Sequence, residues 1–231
     1  MSAADRVFLE TTRRLAPRRF AQEDVTAALA LAQVEPGKPI ADLGCGYGRH
    51  LKELLQLGYR ATGFDRSALL LGEARVEVPS APLVRADLRD LPLHQGSLAA
   101  AFCFYSSMFL ASEEDAAVAL LEAGRILRPG GTLVLTTDNP LRLAANPRAH
   151  SEHELPGLGR VVEESFFDGT VDHVHKAIQL DSGEVLRADF HIRYYQPEAL
   201  AALAYVAGLR LVRLHEPLTE TTPQMIALLE K

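Results

Sequence analysis

The chain has 231 residues, 48% hydrophobic and 23% charged, with a net charge of -6. That length suits one domain of generous size, able to bury a core without staples. The acidic balance lacks the basic excess that sequence-independent binding to a phosphate backbone requires, and no apolar run reaches membrane-spanning length.

Ser2 to Arg19 reads as a short helix and a basic connection, with arginines mixed among Asp5 and Glu10 rather than arranged as an acid-poor leader. Gln22 to Gln33 predicts a helix with Val25, Ala28, Leu29 and Ala32 on one face, ended by Pro36-Gly37. A first strand is expected over Pro39 to Leu43. Glycines then stand at every second position (Gly44, Gly46, Gly48), followed by a helix from Arg49 to Leu57. Strand, glycine turn and helix form the first crossover of a nucleotide-binding sheet, where backbone approaches a ligand closely and a helix N-terminus faces it. A dinucleotide fingerprint would need glycine or alanine where Arg49 stands, which argues against a nicotinamide enzyme.

The second strand is Tyr59 to Asp65, ending on an acid. Ser67 is placed to cap a helix to about Val76. Pro82 to Asp87 is a short third strand, and Leu98 to Tyr105 a fourth, apolar enough to be buried on both faces. Ser112 followed by Glu113, Glu114 and Asp115 starts a helix to about Leu127. Arg128-Pro129-Gly130-Gly131 is a turn into a fifth strand, Thr132 to Thr137. The alternation implies a three-layer α/β fold around a mostly parallel seven-stranded sheet.

After Asp138 the pattern changes. Asn139 to Gly159 reads as a long loop, expected to be a mobile lid. Val161 to Phe167, Val171 to Leu180 and Val185 to Tyr195 predict an inserted antiparallel three-stranded cap. In the last run Leu186, Ala188, Phe190, Ile192 and Tyr194 share one face, and Arg187, Asp189, His191 and Arg193 the other. A helix from Ala199 to Ala207 and strands Leu209 to Leu214 and Met225 to Leu229 complete the sheet, the final strand antiparallel. The whole reads as one domain, with N-terminal helices over 1–35 and the cap over about 139–195. Cys45 and Cys103 suggest neither a disulfide framework nor a metal knuckle, pointing to a reducing, cytoplasmic setting. His173 and His175 share a strand face, the local geometry of a metal pair, but no Cys or carboxylate is spaced to complete it, and no metal is expected.

Asp42-Leu43-Gly44-Cys45-Gly46-Tyr47-Gly48, with the acids after it, resembles the first motif of class I S-adenosylmethionine (SAM)-dependent methyltransferases. The resemblance covers about residues 36 to 138 and the ending at 197 to 230. It implies SAM as cofactor and direct displacement at its sulfonium methyl, giving S-adenosylhomocysteine. It places Asp42, Gly44 and Gly46 around the methionyl part, Asp65 on the ribose hydroxyls and Arg66 beside adenine. Asp87 and the Leu88 backbone would read the adenine edge, and Tyr105 would contact the methionyl moiety. No general base is assigned. The inserted strands resemble the cap of small-molecule methyltransferases, which implies a small-molecule acceptor; in some relatives such a cap also builds a homodimer. The acidic balance weakens an RNA acceptor, and Phe104-Tyr105-Ser106-Ser107 lacks the Asn-Pro-Pro-Tyr-like signature of many nitrogen methylators of bases and glutamine. A protein acceptor and a non-catalytic SAM-binding protein remain alternatives.

Overall fold

The computed structural model describes residues 3–16, 18–110 and 112–231. Helices α1 (Ala3–Leu15) and α2 (Arg18–Ala32) come first, so Arg18 and Arg19 open a helix instead of forming a connection; Ser2 and Pro17 lie outside the described residues. Then follow β1 (Pro39–Leu43), α3 (Arg49–Gln56), β2 (Arg60–Asp65), α4 (Ala68–Glu77), β3 (Leu83–Arg85), β4 (Leu98–Cys103), α5 (Glu113–Ile126) and β5 (Leu127–Asp138). The insertion holds α6 (Pro140–Ala145), β6 (Arg148–Leu155), β7 (Gly159–Phe167), β8 (Val171–Leu180) and β9 (Val185–Arg193). α7 (Pro197–Val206), β10 (Arg210–Leu214) and β11 (Gln224–Glu230) close the chain. Ser67 and Ser112 cap α4 and α5, their hydroxyls accepting from the Leu70 and Asp115 N–H groups at 3.3 and 3.1 Å.

The seven-stranded sheet has the order β10-β11-β5-β4-β1-β2-β3, and β11 runs antiparallel to both its neighbours. β4 lies at the centre with every residue buried. Its run of alanines is small enough for helices to approach both faces. Ile40, Ala100, Phe102 and Val134 pack on Val25, Ala28, Leu51 and Leu54 of α2 and α3. Ala41, Leu43, Ala101 and Leu133 pack on Leu120 and Ala123 of α5 and Leu200 and Ala204 of α7. Each large aliphatic buried this way contributes about 1.5–3 kcal/mol.

Three expectations change. The turn at 128–131 lies inside β5, whose pairing with β4 shifts register between Leu98 and Ala100. Lys231 pairs across this segment, accepting from Gly130 N–H at 2.8 Å and donating to Gly131 O at 3.0 Å. The expected lid is not a loop. Asn139 caps α6, and Arg148–Leu155 forms a fourth cap strand paired along its length with β7, so the cap order is β6-β7-β8-β9. β6 is an edge strand exposed for most of its length, so it carries no apolar alternation to read. Finally, the two N-terminal helices part company. α2 packs on the main sheet, while Val7 of α1 packs on Val161, Ile178, Leu186 and Ala188 of the cap. The apolar cap face is thus covered largely by α1.

Candidate active site

The strand order reverses at β1 and β4, and the carboxyl ends of β1, β2, β4 and β5 meet there, where open α/β sheets bind ligands. Gly44, Gly46 and Gly48 have φ of +77°, +55° and +87°. A Cβ on Gly44 would lie on the Ser107 side chain, so glycine is required for fit as well as for backbone angle. Close helix–strand packing, unsupported by Arg49, comes from β2. A Cβ on Gly63 would lie 2.7 Å from Leu51 and 2.8 Å from the Cys45 sulfur.

Asp65 closes β2 and ties this turn together. Its Oδ2 accepts from the Gly46 N–H and its Oδ1 from the Ser67 N–H, both at 2.8 Å. Each oxygen keeps a further lone pair, so two adjacent hydroxyls can still be received. Burial raises the Asp65 pKa, opposed by these two hydrogen bonds. Asp42 is only 1% exposed, and its Oδ2 has no partner. Burial, with the negative charge of Asp65, pushes its carboxyl up to about 7, while the Arg49 charge pulls the other way. Arg49 holds a buried Nη1 that is also without a partner, and its guanidinium stacks 4.4 Å over the Tyr105 ring.

Tyr105 and Ser106 both have positive φ, 54° and 58°, although neither is glycine. The turn is held by Thr136, whose Oγ1 accepts from the Tyr105 N–H at 2.9 Å and whose carbonyl accepts from the Ser106 N–H at 3.0 Å. Such strain persists where the surroundings over-determine it, commonly at functional sites. It presents Tyr105, 41% exposed, beside His50 of α3, with ring centroids 5.6 Å apart. His50 is buried on Phe104 and 3.3 Å from Asp24, which also accepts from Gln224 at 3.0 Å. Burial depresses the His50 pKa to about 4, keeping it neutral.

The remaining predicted residues are placed differently. Asp87 is engaged by Arg89, its Oδ1 accepting from Nε at 2.9 Å and its Oδ2 from Nη2 at 2.7 Å. This fork holds the Asp87 pKa at about 2. Arg66 is exposed, with a charge that reaches both Asp65 and Asp87. The Leu88 side chain packs against the core. The structure therefore brings Asp42, Gly44, Gly46, Asp65 and Tyr105 together around the glycine turn, with Asp87 and Leu88 at the rim beyond β3.

Several residues of the site escaped the sequence reading. α1 lies across the turn: Asp5 accepts from the Ser67 hydroxyl at 2.9 Å, and Phe8 is 3.7 Å from where a Gly46 Cβ would be. Ser107 donates to the Gly44 carbonyl at 3.4 Å. At the end of β5, Asp138 Oδ2 accepts from the Tyr194 hydroxyl at 3.1 Å. Asp138 had a readable signal, since it closes a parallel strand on an acid as Asp42 and Asp65 do. His173 and His175 lie on the cap face away from α1, where His173 meets His191 at 3.0 Å and Asp168 at 3.2 Å, and His175 meets Asp189 at 2.7 Å. Among the described residues, no three His, Cys, Asp or Glu side chains converge as a metal site.

The residues present suit SAM. Asp42 offers a buried, unmet carboxylate oxygen to an ammonium, Asp65 offers lone pairs to a diol, and the turn lacks side chains that would fill the cradle. Residues 41–135 match the family model described as a methyltransferase domain. The malonyl-[acyl-carrier protein] O-methyltransferase of Enterobacter lignolyticus is 29% identical over 184 residues, covering 77% of this chain and 66% of its own. The chain spans from about a third to about two thirds of the length of the curated relatives it matches first. Among solved structures, the CcbJ methyltransferase of Streptomyces caelestis superposes with a TM-score of 0.77 at 23% identity, covering 90% of this chain and 88% of its own. SAM-bound CalS10, an amino pentose methyltransferase from Micromonospora echinaspora, superposes at 0.75 with 20% identity, covering 97% and 96%. Motif, strand-end acids and sheet order agree with these findings: the chain has the fold of SAM-dependent methyltransferases, and residues 41–135 match a methyltransferase domain.

Proposed function

We propose that this chain transfers the methyl group of SAM to a small-molecule acceptor. The observation that carries the reading is the pair of unmet buried atoms at the glycine turn, Asp42 Oδ2 and Arg49 Nη1. Opposite charges within electrostatic reach of each other, each with one buried atom unmet, suit the ammonium and carboxylate of an amino-acid end. When bound, SAM supplies an activated methyl on a positively charged sulfur. The protein's part is then to bind, align and exclude water. Asp42 takes the ammonium and Arg49 the carboxylate, while Asp65 receives the ribose hydroxyls without releasing Gly46 and Ser67. Arg66, Asp87 and the Leu88 backbone border the adenine, with Asp87 kept in its Arg89 fork. Tyr105 flanks the methionyl end. α1 covers the turn with Phe8 and bridges to the cap through Val7. The acceptor lies between the end of β5 and the inner face of the cap. The likeness to a protein described as an amino pentose methyltransferase supports a small acceptor.

Calorimetric titration with S-adenosylhomocysteine tests this reading, with a nicotinamide dinucleotide as the control. Micromolar binding of the first and none of the second is expected, together with transfer of label from methyl-labelled SAM into a metabolite extract. Absence of S-adenosylhomocysteine binding removes the reading. Binding without transfer to any metabolite leaves a non-catalytic SAM-binding protein in its place.

A further inference from the structure

We propose that the acceptor is an amine, held as its ammonium form by Asp138 and Asp172 in the cleft between the main sheet and the cap. The proposal rests on the methyl-transfer reading and names the acceptor class of that site. A short chain of contacts joins the cleft to the glycine turn. Ser107 touches the Gly44 carbonyl, Ser106 follows the end of β4, and Asp138 closes the neighbouring strand β5. The Tyr194 hydroxyl fixes Asp138 Oδ2 and leaves its other oxygen free to turn into the cleft.

Asp172 stands on the cap in register with Ile192, two residues before the Tyr194 that bonds Asp138. Along β8, burial alternates so that Asp172, Val174 and Ile178 point inward. Asp172 is only 6% exposed, and its Oδ1 is buried with no hydrogen-bond partner. The charges of Asp138 and of Glu163 on β7 act on it, and the Ser165 side chain hydrogen-bonds its carboxyl group. An unmet carboxylate oxygen in protein costs free energy unless a donor or cation fills the place. The local cations do not fill it. Lys176 is bound by Glu163, and Arg142 reaches the Pro223 carbonyl from the surface. His173, next to Asp172 in sequence, pairs with Asp168 and His191 on the opposite face. Arg142 reaches Asp138, and His173 reaches Asp172, only through their charge; neither is ion-paired with them among the described residues. The two carboxylates do not converge with a third donor as a metal-ligand set among those residues.

The acceptor chemistry follows from the charge. An alcohol could donate one hydrogen bond but leave both charges unmet, and a carboxylate would be repelled. An ammonium brings three donors and the missing charge. Burial lifts the carboxyl pKa of Asp138, and burial with the Asp138 charge lifts that of Asp172. Either is thereby a better proton acceptor than a freely solvated aspartate, although Asp138 stands exposed at the end of β5 while Asp172 is buried. One N–H bond of the ammonium breaks, its proton moves to a carboxylate oxygen, and the electron pair stays on nitrogen as the nucleophile. The carboxyl group later returns the proton to water.

The test compares cyclohexylamine, cyclohexanol and cyclohexanecarboxylate, which differ only in the polar group. Each is titrated calorimetrically into the protein, with and without saturating S-adenosylhomocysteine. The amine is expected to bind at least about tenfold more tightly than the alcohol, with the carboxylate weakest. In Asp138→Asn and Asp172→Asn, each checked for unchanged melting, that preference should fall below about threefold while S-adenosylhomocysteine affinity stays the same. An amine that binds no better than the alcohol, that shows no saturable binding, or that keeps its preference in both variants overturns the proposal. Loss of S-adenosylhomocysteine binding with the amine preference intact would remove the cofactor reading alone.

Discussion

At the carboxyl edge of the main sheet, Asp42, Asp65 and His50 are buried, and each carries a carboxyl or imidazole pKa moved by that burial. On the outer face of the cap, the same residue types form exposed cross-strand pairs, such as His175 with Asp189 and Arg160 with Glu152. The chemistry of the side chains is alike, and the solvent is not. Exposed pairs gain little because water screens them, whereas a buried carboxylate must be tied down or matched to a ligand. The inner face of the cap, where the Tyr194 hydroxyl bonds Asp138, is thus the face that the proposed acceptor reading uses, and the outer one carries solvated pairs.

Asp65→Ala is the strongest way to break this contrast. It removes the acceptor for two backbone N–H groups, so it should loosen the glycine turn as well as the ribose contact. S-adenosylhomocysteine binding should fall by about 10–100-fold, as loss of a charge-assisted hydrogen bond of about 1.5–3 kcal/mol predicts. The denaturation midpoint should fall too, which the sequence alone did not indicate. Calorimetry and a urea titration check both. Unchanged affinity would take Asp65 out of the site.

Asp42 offers a pH readout. Burial raises its pKa in the fold to about 7, well above the ordinary carboxylate range. An acid with a raised folded pKa stabilises least when ionised, so its contribution to stability falls as pH rises from about 4 through 7. A bound ammonium favours the ionised form. Affinity for S-adenosylhomocysteine should therefore rise with pH up to about 7, at most about tenfold per pH unit, and flatten above it. Asp42→Asn should abolish the slope. A slope that survives in the variant would assign the proton elsewhere.

The smallest effects separate the two faces of the cap. Phe190 packs toward α1 and the apolar cluster, while His191 lies on the outer face. Phe190→Ala should lower stability by about 1–3 kcal/mol and alter acceptor turnover, with S-adenosylhomocysteine affinity within a factor of about three. His191→Ala should leave melting temperature and turnover alike. Equal effects of the two would mean that the cap is read with the wrong face inward.

The glycine turn and the acids beside it, which the proposed cofactor site uses, were legible because their signals are local. Gly44, Gly46 and Gly48 announce a left-handed turn, and Asp42 and Asp65 fall at strand ends a few residues away. Even there, burial of Asp42 and the Arg49–Tyr105 stack required the fold, since they depend on what α2, α3 and β4 bring to one point. The proposed acceptor site was hardly legible. Asp138, Asp172 and Tyr194 are scattered over 57 positions of sequence and are linked only through strand pairing and the Tyr194 hydroxyl. β6 was missed because an edge strand buries little and need not alternate.

Hydrophobic periodicity and turn residues determined the order of strands and helices, the glycine turn, and the two-faced character of β9, because each is set by spacing within a few residues of chain. Only the tertiary structure decided that α1 leaves its neighbour α2 to cover the cap and the glycine turn. It also decided that the expected lid holds a helix and a paired strand, and that Tyr194 of the cap end bonds Asp138 of the main sheet. Those outcomes depend on which apolar faces find each other at long range and on which strands pair. Neither is written in the spacing of neighbouring residues.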